Sequence, residues 1–329
     1  MVVKRTSEGV ARMAPAKKAR QGRVRVGVIG AGVFGGYHAQ KFANSAHSTF
    51  AGAFDLNAEA ALAVCAKAGC GEAFRSLEQL FDACDAVVIA TPASTHAYLA
   101  RRALEAGKHT LVEKPLALTG VEARSLAKLA LERDLVLQVG HQERLVFEAM
   151  GLFATGERPK RIEAVRMNTR SPDGRCEDVS VVFDLMIHDL DLAAELFGSE
   201  VTAVAGDGHR AHTRLLDQAA AELEFANGSA TLIASRCATV RERRMKIEYA
   251  SGTVEIDFLT RTVKNSTPFN IVADVSKILP DPLRAADEAF VAAIQGRAAS
   301  RITGGVGARA AAMAETVETG AMVAVSAAA

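Results

Sequence analysis

The sequence predicts two architectures in one chain. The first half reads as α/β, a parallel sheet covered on both faces by helices. The second reads as α+β, built on a large, open, mostly antiparallel sheet. Three observations carry this. Between Arg23 and Gly140, short apolar runs alternate with segments of helical period. After Gly140 the runs lengthen and alternate apolar with polar residues. Asn227-Gly228 and Ser251-Gly252 then split these runs into hairpins.

The elements follow in order. VRVGVI (24–29) is a strand that is apolar nearly throughout, and a helix runs from about Val33 to Asn44. TFAGAFD (49–55) is the next strand, and Asn57 caps a helix through Ala68. EAF (72–74) is a short strand and SLEQLFDA a short helix. AVVIATP (86–92) is a third strand, followed by a helix that ends at Gly107. HTLVEKP (109–115) runs into a proline, Thr119 starts another helix, and LVLQVG (135–140) closes the first half. The second half holds a helix at 179–197. Its strands lie in KRIEAVRMNTR, VTAVAGDGHRAHT, AAAELEFANGSATLIASR and RRMKIEYASGTVEID. Two final helices, about Pro282–Gln295 and Gly305–Met322, are expected against the sheet or back on the first domain. The expected units are a disordered basic tail (1–22), a first domain (23–142) and a second (143–329).

Bulk properties narrow the function. The chain has 329 residues, enough for two cores. A net charge of +1 argues for neither nucleic acid nor an anionic membrane surface. No apolar run reaches the roughly 18–20 residues that span a bilayer. Five cysteines without CxxC spacing suggest reduced thiols, hence a cytoplasmic protein, and no metal site. An open sheet with an exposed face predicts a homodimer or homotetramer through that sheet.

The chemistry begins with Gly30-Ala31-Gly32-Val33-Phe34-Gly35, a GxGxxG that follows a buried strand and opens a helix. The first glycine permits the turn, the second lets a pyrophosphate approach, and the third lets helix and strand pack. The helix N-terminus offers N–H groups to the anion. Asp55, twenty residues past Gly35, suits a ribose diol and would repel a 2′-phosphate, so NAD is expected over NADP. Thr91, Pro92 and Ser94 put small polar groups at the carboxyl edge of the sheet, where ligands bind in such folds. His96 follows at the same edge, either as a cofactor contact or as an ordinary first-turn residue.

Glu113, Lys114 and Pro115 end another strand at this edge, where Lys114 is either a cleft lysine or a surface one. The helix VSVVFDLMIHDLDLAAELF is apolar around most of its circumference. With 3.6 residues per turn, Asp184, His188, Asp191 and Glu195 fall within about 60° of one another. This strip faces salt-bridge partners or a wet cleft; Asp191 and Glu195 are expected to make structural pairs.

LVEKPLALT and VVFDLMIHDLDL, with the first domain, resemble the Gfo/Idh/MocA family of sugar and cyclitol oxidoreductases over about residues 23–325. LVLQVGHQERL extends the likeness to bacterial UDP-N-acetylglucosamine 3-dehydrogenases. The resemblance implies a Rossmann domain, an open-sheet C-terminal domain and oxidation of a secondary hydroxyl by NAD. It places the active-site lysine on Lys114, the aspartate on Asp184 and the catalytic histidine on His188. The glycine loop, Asp55, Thr91, Pro92, Ser94, His96, Glu113 and Lys114 are the expected cofactor contacts. The implied substrate is a nucleotide sugar, UDP-N-acetylglucosamine oxidised at C3. The alternatives are a free aldose or inositol, or a non-catalytic ligand sensor on the same fold. His141, Arg144, Arg166 and Arg170 are candidate substrate contacts, with Arg175 beside them; a merely basic strand edge fits the arginines equally.

Overall fold

The computed structural model describes residues 22–170 and 177–328, with side chains through residue 323. The expected basic tail and Arg175 lie outside the described residues.

The first half comprises β1 (Val24–Ile29), α1 (Val33–Ala43), β2 (Ser48–Phe54), α2 (Ala58–Ala68), β3 (Glu72–Ala73), α3 (Leu77–Ala83) and β4 (Ala86–Ile89). It continues through α4 (His96–Glu105), β5 (His109–Val112), α5 (Gly120–Glu132) and β6 (Leu137–Val139). The six strands form a parallel sheet in the order β3-β2-β1-β4-β5-β6. Strand order reverses between β1 and β4, and the crevice beyond their carboxyl ends is where this topology binds ligands. β1, β4 and β5 are buried on both faces by helices, which is why they read as unbroken apolar runs. Asn57 caps α2 by accepting from the Glu59 and Ala60 N–H groups, and Thr119 caps α5 through Glu122 N.

The second half adds α6 (Glu143–Met150), β7 (Arg161–Met167), a wide π-helical turn (Val182–Met186), α7 (Ile187–Phe197), β8 (Val201–His209), β9 (Gln218–Phe225), β10 (Gly228–Ser235), β11 (Glu242–Tyr249), β12 (Gly252–Asp257) and β13 (Thr262–Asn265). It ends with α8 (Pro282–Ile294) and α9 (Gly304–Ala328). Its seven-stranded sheet runs β13-β12-β11-β7-β10-β9-β8, with β7 and β10 the one parallel pair among the described strands. One face buries Ile162, Leu223, Leu232, Met245 and Ile247 beneath α7. The other face is polar, with Arg161–Glu163 (3.1 Å), Thr231–Glu222 (2.9 Å) and Lys246–Glu248 (2.5 Å) pairs.

Two features differ from the expectations. The hairpin tips are Ala226-Asn227 and Ala250-Ser251, one residue earlier than expected. Gly228 starts a strand instead, because a Cβ there would lie 2.4 Å from the Lys160 carbonyl oxygen. The 179–197 segment is not one regular α-helix, since its first turn is π-helical. The helix α8 packs on α1 and α6, while α9 lies along β8 and packs on α5 and α7. The chain's last elements therefore bind both sheets together.

Candidate active site

The glycine loop fits a dinucleotide. Gly30 has φ +95°, and a Cβ on it would meet the Ala90 carbonyl oxygen at 2.6 Å. Beside Gly32 there is open space for a ligand. No side chain caps α1, so its first N–H groups are left for an anion. Val33 and Phe34 are exposed beside them. Asp55 accepts from Ala31 N (2.7 Å) and Asn57 N (2.8 Å). A carboxylate has about four acceptor positions, so two remain for ribose hydroxyls. Gly35 is the tightest point: a Cβ would sit 1.9 Å from the Gly30 carbonyl oxygen. Gly35→Ala is expected to lower stability by about 1–3 kcal/mol and to weaken NADH binding, read by urea unfolding with and without NADH.

At the same edge, Thr91 and Thr95 share a hydroxyl hydrogen bond (2.7 Å), and Pro92 and Ser94 are exposed. The side chains of His96 and Glu113 are engaged within the protein. His96 is buried with its nitrogens against the carbonyl oxygens of Pro115 (2.7 Å) and Thr91 (2.9 Å). It pins the Thr91 loop to the Lys114–Pro115 loop, whose peptide is cis. Burial pushes its pKa down. Glu113 turns inward to His38 Nε2 (3.1 Å).

Lys114 crosses to the second half. Its Nζ donates to the Asp184 backbone oxygen (2.6 Å) and to Asp184 Oδ1 (3.0 Å). The π-helical turn presents that carbonyl, because widened turns at functional sites leave backbone groups for outside partners. Asp184 thus holds the lysine. The carboxylate nearest His188 is Glu143, with Oε2 4.0 Å from Nδ1.

His188 Nδ1 is buried without a hydrogen-bond partner, and the side chain is 15% exposed, leaving Nε2 on the accessible side. Burial, reinforced by the positive charges of Arg166 and Lys114, holds its pKa well below the ordinary value, although Glu143 pulls the other way. The neutral form of the ring is therefore favoured. His141 meets it edge to face, with centroids 6.3 Å apart. Both His141 nitrogens are buried without a hydrogen bond, Nδ1 lying 3.9 Å from Asp191 Oδ2, and burial lowers its pKa too. The unbonded ring nitrogens of His188 and His141, with the Lys114 charge nearby, suit a guest that carries hydroxyl groups, since buried polar groups ordinarily find partners.

The expected arginines behave differently. Arg144 is bidentate to Asp191 (2.7 and 2.8 Å) and also bonds Glu195 (3.0 Å). Arg166 is bidentate to Asp189 (2.9 and 2.8 Å) and to Glu143 (2.8 and 2.7 Å). Both are buried with their donors committed to carboxylates, so the substrate role expected of them gives way to a structural one. Arg170 is exposed and 3.6 Å from Glu177. On the ionisable stripe, Asp191 and Glu195 thus make ion pairs to α6 and α9, whose Arg309 also reaches Glu195 (3.0 Å).

Comparison with known proteins fits this geometry. A model described as an oxidoreductase family with an NAD-binding Rossmann fold matches residues 24–141, and a GFO/IDH/MocA C-terminal domain matches 158–255. The UDP-N-acetylglucosamine 3-dehydrogenase of Acidithiobacillus ferrooxidans is 43% identical over 73% of this chain and 76% of its own. The chain belongs to the Gfo/Idh/MocA oxidoreductase family. An inositol 2-dehydrogenase of Rhizobium meliloti is 31% identical over 70% of this chain and 74% of its own. The solved structure of the Acidithiobacillus enzyme superposes with a TM-score of 0.83 at 38% identity, covering 92% of this chain and 99% of that one. The Rossmann half of this family member is therefore its NAD-binding half.

Behind the site sits a group that sequence reasoning missed. His38 on α1 is buried between Asp287 of α8 (2.8 Å) and Glu113 (3.1 Å). Burial alone would lower its pKa, but the two carboxylates overcome this and raise it to about 10. No local signal marks it, because Asp287 lies 249 residues along the chain. Between the ordinary value of 6.5 and about 10, the folded state keeps a proton that the unfolded chain has lost. This contribution to stability is complete below pH 6.5 and lost as pH rises through about 10. Replacing His38 with Asn is expected to flatten that alkaline decline in a urea-midpoint series.

Proposed function

We propose that this chain is an NAD-dependent dehydrogenase that oxidises a secondary hydroxyl of a nucleotide sugar, at C3 of UDP-N-acetylglucosamine. The observation that carries the chemistry is the neutral, partly accessible imidazole of His188 beside the Lys114–Asp184 pair. The 43% identity to a UDP-N-acetylglucosamine 3-dehydrogenase supports the substrate.

Oxidising an alcohol requires the hydroxyl proton and a hydride to leave. Bound NAD supplies the hydride acceptor. His188 takes the hydroxyl proton, since its ring is already deprotonated near neutral pH. Lys114, steadied by Asp184, hydrogen-bonds the alcohol oxygen and stabilises the charge that develops there. His141 closes the pocket behind the base. The free thiols of Cys65, Cys70, Cys84 and Cys237 support a reducing cytoplasm as the working compartment. The polar outer face of the seven-stranded sheet is the surface on which we expect a second copy, a reading that light scattering on the purified chain tests.

The deciding experiment is NADH formation from NAD and UDP-N-acetylglucosamine, with a ketone trap to draw the reaction forward. Turnover of this substrate well above that of myo-inositol or free N-acetylglucosamine is expected. Preference for the free cyclitol, which the 31% identical inositol 2-dehydrogenase favours as a second reading, would overturn the substrate but not the chemistry.

A further inference from the structure

Arg243 lies directly across the ladder from Arg166. Both therefore point to the face of the sheet that packs beneath α7, where Met245 and Ile247 are buried. Like charges placed opposite one another destabilise a sheet unless something compensates them. Arg166 has Glu143 and Asp189. Arg243 has no such pair: its half-buried side chain makes no ion pair among the described residues, and its Nε is buried without a partner. The neighbouring Arg244, on the opposite face, is by contrast paired with Glu242. Arg241, two residues away and exposed, adds a further positive charge near Arg243. Burial and repulsion by Arg166 and Arg241 hold the Arg243 pKa below the ordinary arginine value, against the pull of Glu143.

The location gives this uncompensated cation a purpose. Glu143 is the carboxylate that Arg166 shares with His188, at 2.7 and 4.0 Å. Arg243 feels the same carboxylate, so its charge sits one residue removed from the base. We propose that Arg243, with Arg241 beside it, binds the phosphate oxygens of the substrate's diphosphate and thereby selects nucleotide sugars over neutral sugars. A guanidinium fork matches phosphate geometry and is always charged. A neutral cyclitol offers nothing to balance it. The inference rests on the nucleotide-sugar reading and deepens it: the substrate contact expected of the sequestered Arg166 passes to its cross-strand neighbour.

The test compares the wild-type chain with Arg243→Gln and Arg243→Lys, each loaded with NADH, titrated with UDP in a calorimeter and then assayed with NAD and UDP-N-acetylglucosamine. A lost charge-assisted hydrogen bond corresponds to about a ten- to hundredfold weaker UDP affinity in Arg243→Gln. The same loss is expected in KM more than in kcat. The lysine variant keeps the charge but not the fork, and is expected to lose severalfold. Should the glutamine variant not fold, the lysine variant carries the test alone. Wild-type turnover of UDP-N-acetylglucosamine with unchanged UDP affinity and KM in the variants overturns the site and leaves the substrate reading intact. A wild-type chain that neither binds UDP nor oxidises the nucleotide sugar overturns the substrate reading, and this inference with it.

Discussion

Replacing His188 with Asn is expected to lower kcat/KM by about two to four orders of magnitude, the usual worth of a positioned general base, while NADH affinity stays as it was. Asparagine fills much of the same space, so packing against His141 and Glu143 is largely kept and the missing function is proton abstraction. The pH profile makes the argument sharper. A base acts when deprotonated, and burial together with Arg166 and Lys114 holds the His188 pKa well below its ordinary 6.5. Activity should therefore persist as pH falls through 6.5 and decline only at a lower pH. An acid limb centred at or above the ordinary histidine value would mean that the ring is solvated and the site more open than its geometry indicates.

The largest loss of stability is expected from Arg166→Met. The methionine leaves Asp189, which is 2% exposed, without its partner, and deprives Glu143 of a bidentate one. Breaking a buried ion pair from one side typically costs about 3–5 kcal/mol, because the remaining charge must be neutralised or exposed. Removing both sides, as in Arg166→Met with Asp189→Asn, is expected to recover part of that loss. Urea unfolding of the two variants measures it. A single-variant cost below about 1 kcal/mol, the ceiling for exposed pairs, would show that the network is not sealed from water. Because Glu143 also neighbours His188, the variant is further expected to disturb the catalytic pH profile.

How much of this was legible in the sequence depended on whether the signal was local. The glycine loop could be read because each glycine answers a backbone constraint within a few residues, and Asn57 and Thr119 because caps act on the adjacent turn. The hairpins were legible while their tips were not: Gly228 serves close packing against β7, which its own neighbours do not reveal. The ionisable stripe at 184–195 was visible, yet its interpretation assumed an unbroken 3.6-residue period. The first turn is instead π-helical, and Asp184 within it pairs with Lys114. Arg144 and Arg166 were misjudged for a related reason. An arginine in a basic run looks free until the fold brings acidic residues 23 to 51 positions away against it. Glu143, on the short α6 at what read as a boundary, carried no signal at all, and neither did Arg243, whose isolation exists only across the β7–β11 ladder.

The central claim is that one hydroxyl-bearing carbon of a nucleotide sugar reacts between His188 and Lys114. The most direct measurement uses UDP-N-acetylglucosamine deuterated at C3 with unlabelled NAD, followed by mass analysis of the reduced cofactor. One deuterium in the NADH, with a primary isotope effect on kcat/KM, is the predicted result. Reduced cofactor without deuterium, or no reduction at all with the ketone trapped, would contradict it.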